Sequence, residues 1–248
     1  MGLGLWKVTL LGLVVGVLGT GLGGCLVALL GELKQRSLSF VLGFSGGIML
    51  AIIFVDLLDE AVEIGGVVYT FVGLSLGVGL LVLLDMMLPH IHAVQGGEQS
   101  NHFMRMSILL GLGIAMHNLP EGMAVGAGFA VSDLTGWWLG FTMFVQNIPE
   151  GMAMAGPMAA AGLSPMKMIG YTAAAGIPMG IGAWLGALIG NVSPVSLTIS
   201  LGFAAGAMLY IVFDELVPEA QRQAKGHSGT FGAVAGVLLG VAISMFTN

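Results

Sequence analysis

The residues best equipped for chemistry lie in two related hexapeptides. His117-Asn118-Leu119-Pro120-Glu121-Gly122 is answered 29 positions later by Gln146-Asn147-Ile148-Pro149-Glu150-Gly151. Each supplies a carboxylate, an amide and either an imidazole or a second amide, with a proline among them. On a helix, residues three and four apart share a face, so His117 and Asn118 stand over Glu121, and Gln146 and Asn147 over Glu150. Imidazole, carboxylate and amide oxygen form a mixed donor set that suits Zn²⁺ and also Fe²⁺, Mn²⁺, Co²⁺ or Cd²⁺. Pro120 and Pro149 cannot donate to the carbonyls of Met116 and Val145, and their rings crowd the preceding turn. A kink is expected at each, with Gly122 and Gly151 giving the backbone room beside it.

The setting of these residues is hydrocarbon. The chain has 248 residues, 56% of them hydrophobic and 8% charged, with a mean hydropathy of +0.99, against about 25% charged in a soluble domain. An integral membrane protein follows, and its net charge of −6 reflects carboxylates in or at the ends of apolar segments rather than an acidic solvated surface. One charged side chain at the centre of a span costs about 2.5–3.5 kcal/mol. No lysine or arginine lies at the depth of Glu121 and Glu150, which leaves protonation, a shared proton or a bound cation; the competing explanation is protonated glutamates bonded to Asn and Gln as glue between helices. His-Glu-x-x-His is absent, and no nucleophile-base-orienter set suggests an enzyme. The lone Cys25 rules out an intrachain disulfide and a cysteine metal cluster, and reads as a packing residue.

Apolar runs of about 20 residues place eight spans, at Trp6–Leu30, Leu38–Glu60, Val67–Leu88, Met106–Phe129, Trp137–Ala161, Met168–Ile189, Val195–Val217 and Thr230–Phe246. The amino terminus carries Lys7 but no small-x-small cleavage site before Glu32, so it is expected to stay as the first span. Lys34, Arg36, Arg105, Lys167, Arg222 and Lys225, six of the seven basic residues, fall in or beside the odd-numbered connections. Those connections are therefore expected in the cytoplasm and both termini outside. Spaced glycines, Gly19/Gly23, Gly182/Gly186 and Gly232/Gly236 among them, mark close helix packing. The whole chain, residues 1–248, reads as one polytopic membrane domain with a longer cytoplasmic connection over about residues 90–103. His90 and His92, with His102 across it, either collect metal there or belong to a tolerant polar linker.

Other polar residues extend a line through the bilayer. Met49 and Asp56 lie two turns apart on one face of the second span, and Glu63 continues toward the outer surface, an inlet unless Met49 is core filler and Asp56 merely joins Asp59 and Glu60 at the water boundary. The seventh span ends in Asp214, Glu215 and Glu219, an outlet on the cytoplasmic side or an ordinary interfacial cluster; Asp85 and His90 belong to the same vestibule.

Taken together, these motifs resemble those of the Zrt/Irt-like (ZIP) family of divalent metal transporters, its compact bacterial members in particular. The paired His-Asn-x-Pro-Glu-Gly and Gln-Asn-x-Pro-Glu-Gly elements carry the likeness, joined by Phe44 to Leu50, by Gly182-Ala183 with Gly186, and by Gly206-Ala207-Met208 through Glu219. The resemblance covers essentially the whole chain. It implies an all-α, eight-helix membrane protein with both termini outside the cytoplasm and a metal site between kinked fourth and fifth helices. Carried over, the primary site is Met49, His117, Glu121, Gln146 and Glu150, with Asn118 and Asn147 available to a second ion, and Met208, Asp214 and Glu215 on the way out. Two departures stand out: Gln146 replaces a common histidine, and Met179 falls near a carboxylate that many members carry in the sixth helix. One firm site with a weak neighbour is expected.

The implied function is uptake of divalent cations, Zn²⁺ first with Cd²⁺, Fe²⁺ and Mn²⁺ behind it, into the cytosol across the cell membrane by alternating access. A selective channel and a metal sensor that moves nothing are the alternatives. The expected partners are the metal cargo and the lipid bilayer, with a homodimer allowed and no nucleic acid; no cofactor is implied beyond the transported ion.

Overall fold

A computed structural model describes residues 4–31, 34–87, 99–224 and 226–247. Every element it assigns there is helical. Helix α1 covers Leu5–Leu30. Helix α2, Gln35–Ala51, passes through a π-helical stretch at Ile52–Leu57 into α3, Leu58–Met87. Helices α4 (Gln99–Val131) and α5 (Asp133–Ala160) follow, then α6 (Pro165–Ala175) and α7 (Ile177–Gly190). Helix α8, Pro194–Ile211, runs through a second π-helical stretch at Val212–Leu216 into α9 (Val217–Gln223), and α10 occupies Ser228–Thr247.

The starts are encoded locally. Ser132 and Ser193 sit extended at the N-caps of α5 and α8 and accept from the backbone N–H of Thr135 and Ser196, while Pro165 and Pro194 open α6 and α8. Among the described residues, four stretches are helices long and apolar enough to cross a membrane: Leu5–Leu30, Gln35–Leu83, Pro165–Gly190 and Pro194–Gln223. Gln35–Leu83 runs for 49 residues, enough for two passages at 1.5 Å per residue, and it is divided at Gly66, whose φ of 80° and ψ of 168° need glycine. The expected gap between the second and third spans falls there.

Elsewhere the helices are interrupted away from the motif prolines. Helices α4 and α5 run through Pro120, Pro149 and Pro157 without interruption. A proline removes one rung of the ladder, but helices packed on both sides hold the backbone helical. The sixth span instead divides at Gly176, between α6 and α7, where Pro178 follows in the first turn. The fourth helix also begins earlier than expected, at Gln99, inside the connection drawn to about residue 103; a helix can continue past the bilayer because only its apolar part is limited by membrane thickness.

Lipid-facing and protein-facing sides are sorted as a membrane demands. On α1, Trp6, Leu10, Val14, Leu18 and Leu22 point outward while Gly12, Gly16, Gly19 and Gly23 are buried. On α10, Phe231, Val234, Leu238 and Leu239 are exposed. The polar side chains go inward instead: Asn118, Glu121, Gln146, Asn147 and Glu150 are each 1% exposed or less.

The glycines form seams at which helix backbones touch. Gly23 lies on Ile148 and Gly151 on Thr20, joining α1 to α5; Gly16 meets Gly176; Gly122 and Gly182 join α4 to α7. A second set joins α3 to α8 through Gly73, Gly77 and Gly206, and α2 to α10 through Gly43, Gly47, Gly232 and Gly236. Among the described residues, every backbone-to-backbone glycine contact lies within α1, α4, α5, α6 and α7, or within α2, α3, α8, α9 and α10. No such glycine contact among the described residues crosses from one group to the other.

The connections gather at two ends. At one, Gly65 packs on Thr198, Asp56 accepts from Ser244 Oγ near the end of α10 at 3.0 Å, and Leu11 near the start of α1 approaches Gly140. At the other, Ser39 Oγ donates to the Ala220 carbonyl at 2.6 Å and Ser228 Oγ to that of Arg36 at 2.7 Å.

Candidate metal centre

Helices α4 and α5 pack against each other along their motif faces, and the two motifs meet through their amides. Gln146 Nε2 donates to Glu121 Oε1 at 2.6 Å, and Asn147 Nδ2 donates to Asn118 Oδ1 at 3.2 Å. Asn147 Nδ2 also reaches the Met179 sulfur at 3.5 Å, so the residue standing near the absent sixth-helix carboxylate is in contact with the site. From α2, Ser45 Oγ approaches Glu150 Oε1 at 3.4 Å and the Gln146 carbonyl at 3.5 Å. Helices α2, α4, α5 and α7 thus converge on one buried polar spot.

Among the described residues, that spot is short of hydrogen-bond donors: Glu121 Oε2, Gln146 Oε1 and Asn147 Oδ1 are buried there and have no partner. A buried acceptor left unsatisfied costs about 1–3 kcal/mol, and three on two adjacent helices are the wrong arrangement for glue. Lone pairs without protons are what a cation uses. Among the described residues no three His, Cys, Asp or Glu side chains gather at one point; the described donors are two carboxylates, amides and thioethers. His117 lies on α4 in register with Glu121, and its side chain lies outside the described residues.

The motif glycines have a firmer explanation than room beside a kink. A Cβ at Gly122 would run into the Met179 carbonyl, and one at Gly151 into that of Thr20. Each Asn-x-Pro-Glu-Gly element therefore pins its glutamate one residue from a backbone contact with another helix.

Met49, Met179 and Met208 are all fully buried in one continuous core. Met49 lies one turn beyond Ser45 on α2. The inlet residues occupy a separate cavity of about 400 Å³ lined by Asp56, Asp59, Glu60 and Glu63 with Leu134, Thr135 and Trp138. Asp56 is half-buried there and Glu63 exposed. Asp214 is exposed in the second π-helical stretch. The side chains of Glu215, Asp85 and His102 lie outside the described residues, as do His90 and His92 altogether.

Motif inspection missed Ser45 and the two π-helical stretches. The signal for the stretches was present: Met49, Phe54 and Leu57 recur as Met208, Phe213 and Leu216, each 159 positions on, and both copies contain the π-helical turn. Ser45 could have been found as the polar residue four before Met49 on the same face.

Comparison with known proteins now bears on the chain as a whole. A model of the ZIP zinc transporter family matches residues 93–248. The zinc transporter ZupT of Corynebacterium glutamicum is 32% identical, covering 92% of this chain and 94% of its own length. ZupT of Akkermansia muciniphila is 33% identical over 90% of this chain and 91% of its own, and the zinc transporter ZIPB of Bordetella bronchiseptica is 34% identical over 96% and 79%. A family match over more than half the sequence, and relatives above 30% identity across nearly all of it, agree with the helical architecture and the paired motifs: the chain belongs to the ZIP family of zinc transporters.

Proposed function

We propose that this protein carries divalent transition-metal cations into the cytosol, with Zn²⁺ the preferred cargo and Cd²⁺, Fe²⁺ and Mn²⁺ its competitors. The observation that carries this is the set of bare acceptors, Glu121 Oε2, Gln146 Oε1 and Asn147 Oδ1, buried between α4 and α5. The zinc transporter relatives support the choice of cargo. The cation is held by Glu121 and Glu150, the Gln146 amide oxygen, His117 and the Met49 thioether. Thioether and imidazole favour Zn²⁺ and Cd²⁺ over harder ions.

The eight helical rods each cross the membrane of the cell once, as a single domain. Lys34, Arg36 and Arg222 belong to the end at which Ser39 and Ser228 are tied down, so that end faces the cytoplasm. Both termini and the acidic cavity at Asp56 and Glu63 then face outward, and the acidic end beyond Met208, at Asp214 and Glu215, faces inward. The cavity's carboxylates concentrate cations before entry. Transport occurs as the group holding α4 and α5 shifts against the group holding α2 and α8, a motion supported by the lack, among the described residues, of backbone-to-backbone glycine contacts between them.

A competition assay on purified protein in proteoliposomes tests this, with Zn²⁺ uptake measured against Cd²⁺, Fe²⁺ and Mn²⁺. Saturable uptake with Cd²⁺ the strongest competitor is the expected result. Flux rising linearly with concentration would mean a channel, and zinc binding without uptake a sensor.

A further inference from the structure

We propose that Asn118 is a positioning residue rather than a ligand: it clamps α4 to the α6–α7 break and to Asn147, so that of the two motif asparagines only Asn147 offers its amide oxygen to the cation. This rests on the metal-site reading above for its functional half only.

The geometry fixes which way each amide faces. Asn118 is fully buried, and its Nδ2 donates to two carbonyls, Ile114 O at 3.0 Å within α4 and Ala175 O at 3.0 Å across at the end of α6. Turning the amide over would set its oxygen against both carbonyls, so Nδ2 must stay where it is. Ala175 O needs this donor because the helix breaks there. Met179 N–H, which would bond to it in an unbroken helix, goes to Gly176 O instead at 3.2 Å.

Asn118 Oδ1 is thereby turned toward α5, where Asn147 Nδ2 donates to it. Both hydrogens of Asn147 are then spent, one on Asn118 and one on the Met179 sulfur. Gly19 leaves the space on α1 in which the Asn147 side chain sits. Asn147 Oδ1 is forced to the other side of its amide, buried and without a partner among the described residues. The two asparagines of the repeated motif are therefore not equivalent: one holds the break shut, and the other is aimed by it.

Two measurements on the full chain test this. In detergent with metal stripped by chelator, Asn118→Ala should lower the apparent melting temperature by roughly 5 °C or more, and Asn118→Ser should recover part of the loss, because a serine can still donate to the carbonyl four residues back. An Asn118→Ala protein that melts like the wild type without metal would overturn the clamp. In proteoliposomes, Asn147→Ala and Asn118→Ser should each raise the KM for Zn²⁺ by about fivefold, and the double variant no further than Asn147→Ala, as expected when one residue acts through the other. A double variant whose KM rises by the product of the two single effects, or an Asn118→Asp variant that binds Zn²⁺ more tightly, would make Asn118 a ligand. The metal-free melts judge the clamp even if the protein proves not to bind zinc, so the two failures are distinguishable.

Discussion

Glu121 and Gln146 share a 2.6 Å hydrogen bond and each keeps one oxygen without a partner among the described residues, so the site leaves acceptors waiting. A carboxylate in this position is costly without a cation and productive with one. Glu121→Gln should therefore leave the metal-free melting temperature unchanged or raise it, since the new amide brings a donor to a place rich in acceptors. The same variant should lose the stabilisation that Zn²⁺ confers on the wild type, read from melts with and without metal. Ser45→Ala should have a smaller effect, about a threefold rise in the KM for Zn²⁺, because contacts of 3.4 and 3.5 Å are long for a hydroxyl donor. Glu121 and Glu150 stood out in the sequence because charge in hydrocarbon has few explanations, and Gln146 because it stands four before Glu150 on the same face. The division of labour between Asn118 and Asn147 was not: it depends on a carbonyl freed at Ala175, 57 residues away along the chain.

At the scale of helices, the sequence located the elements better than their interruptions. Apolar runs and the glycine spacing pointed to long apolar helices and to the glycine faces on which they pack. The motif prolines lie inside continuous helices, while the ladder is interrupted at Gly66, at Gly176 and in the two π-helical stretches. Proline removes a donor from any helix, whereas whether the helix breaks is settled by the neighbours packed on it, and these are distant in sequence. Close packing gives a sharp contrast for mutation. Gly122→Ala and Gly151→Ala place a Cβ into the backbone of α7 and α1, and little folded protein should be recovered by size-exclusion chromatography in detergent. Gly156→Ala and Gly170→Ala, on α5 and α6, meet nothing within 4 Å, and should be neutral or raise the melting temperature slightly, since alanine is about 1 kcal/mol the better helix former.

Over the whole molecule, two glycine-welded groups meet at a boundary that no backbone-to-backbone glycine contact among the described residues crosses, and the buried centre lies on that boundary, with Ser45 of one group touching Glu150 of the other. A carrier needs such a division, because each group must stay rigid while the contact between them changes. The orientation can be read by labelling with an impermeant thiol reagent in a Cys25→Ser background. Cysteines at Gly4 and Ser132 should react from outside the cell, and one at Gly226 only after the membrane is opened; the reverse pattern would invert the direction of transport. The most direct measurement of all is zinc accumulation in proteoliposomes carrying a zinc-sensitive dye, compared between the wild type and the Glu121→Gln/Glu150→Gln double variant. Saturable accumulation by the wild type and none by the double variant is expected, whereas undiminished accumulation by the double variant would contradict transport through the paired motifs.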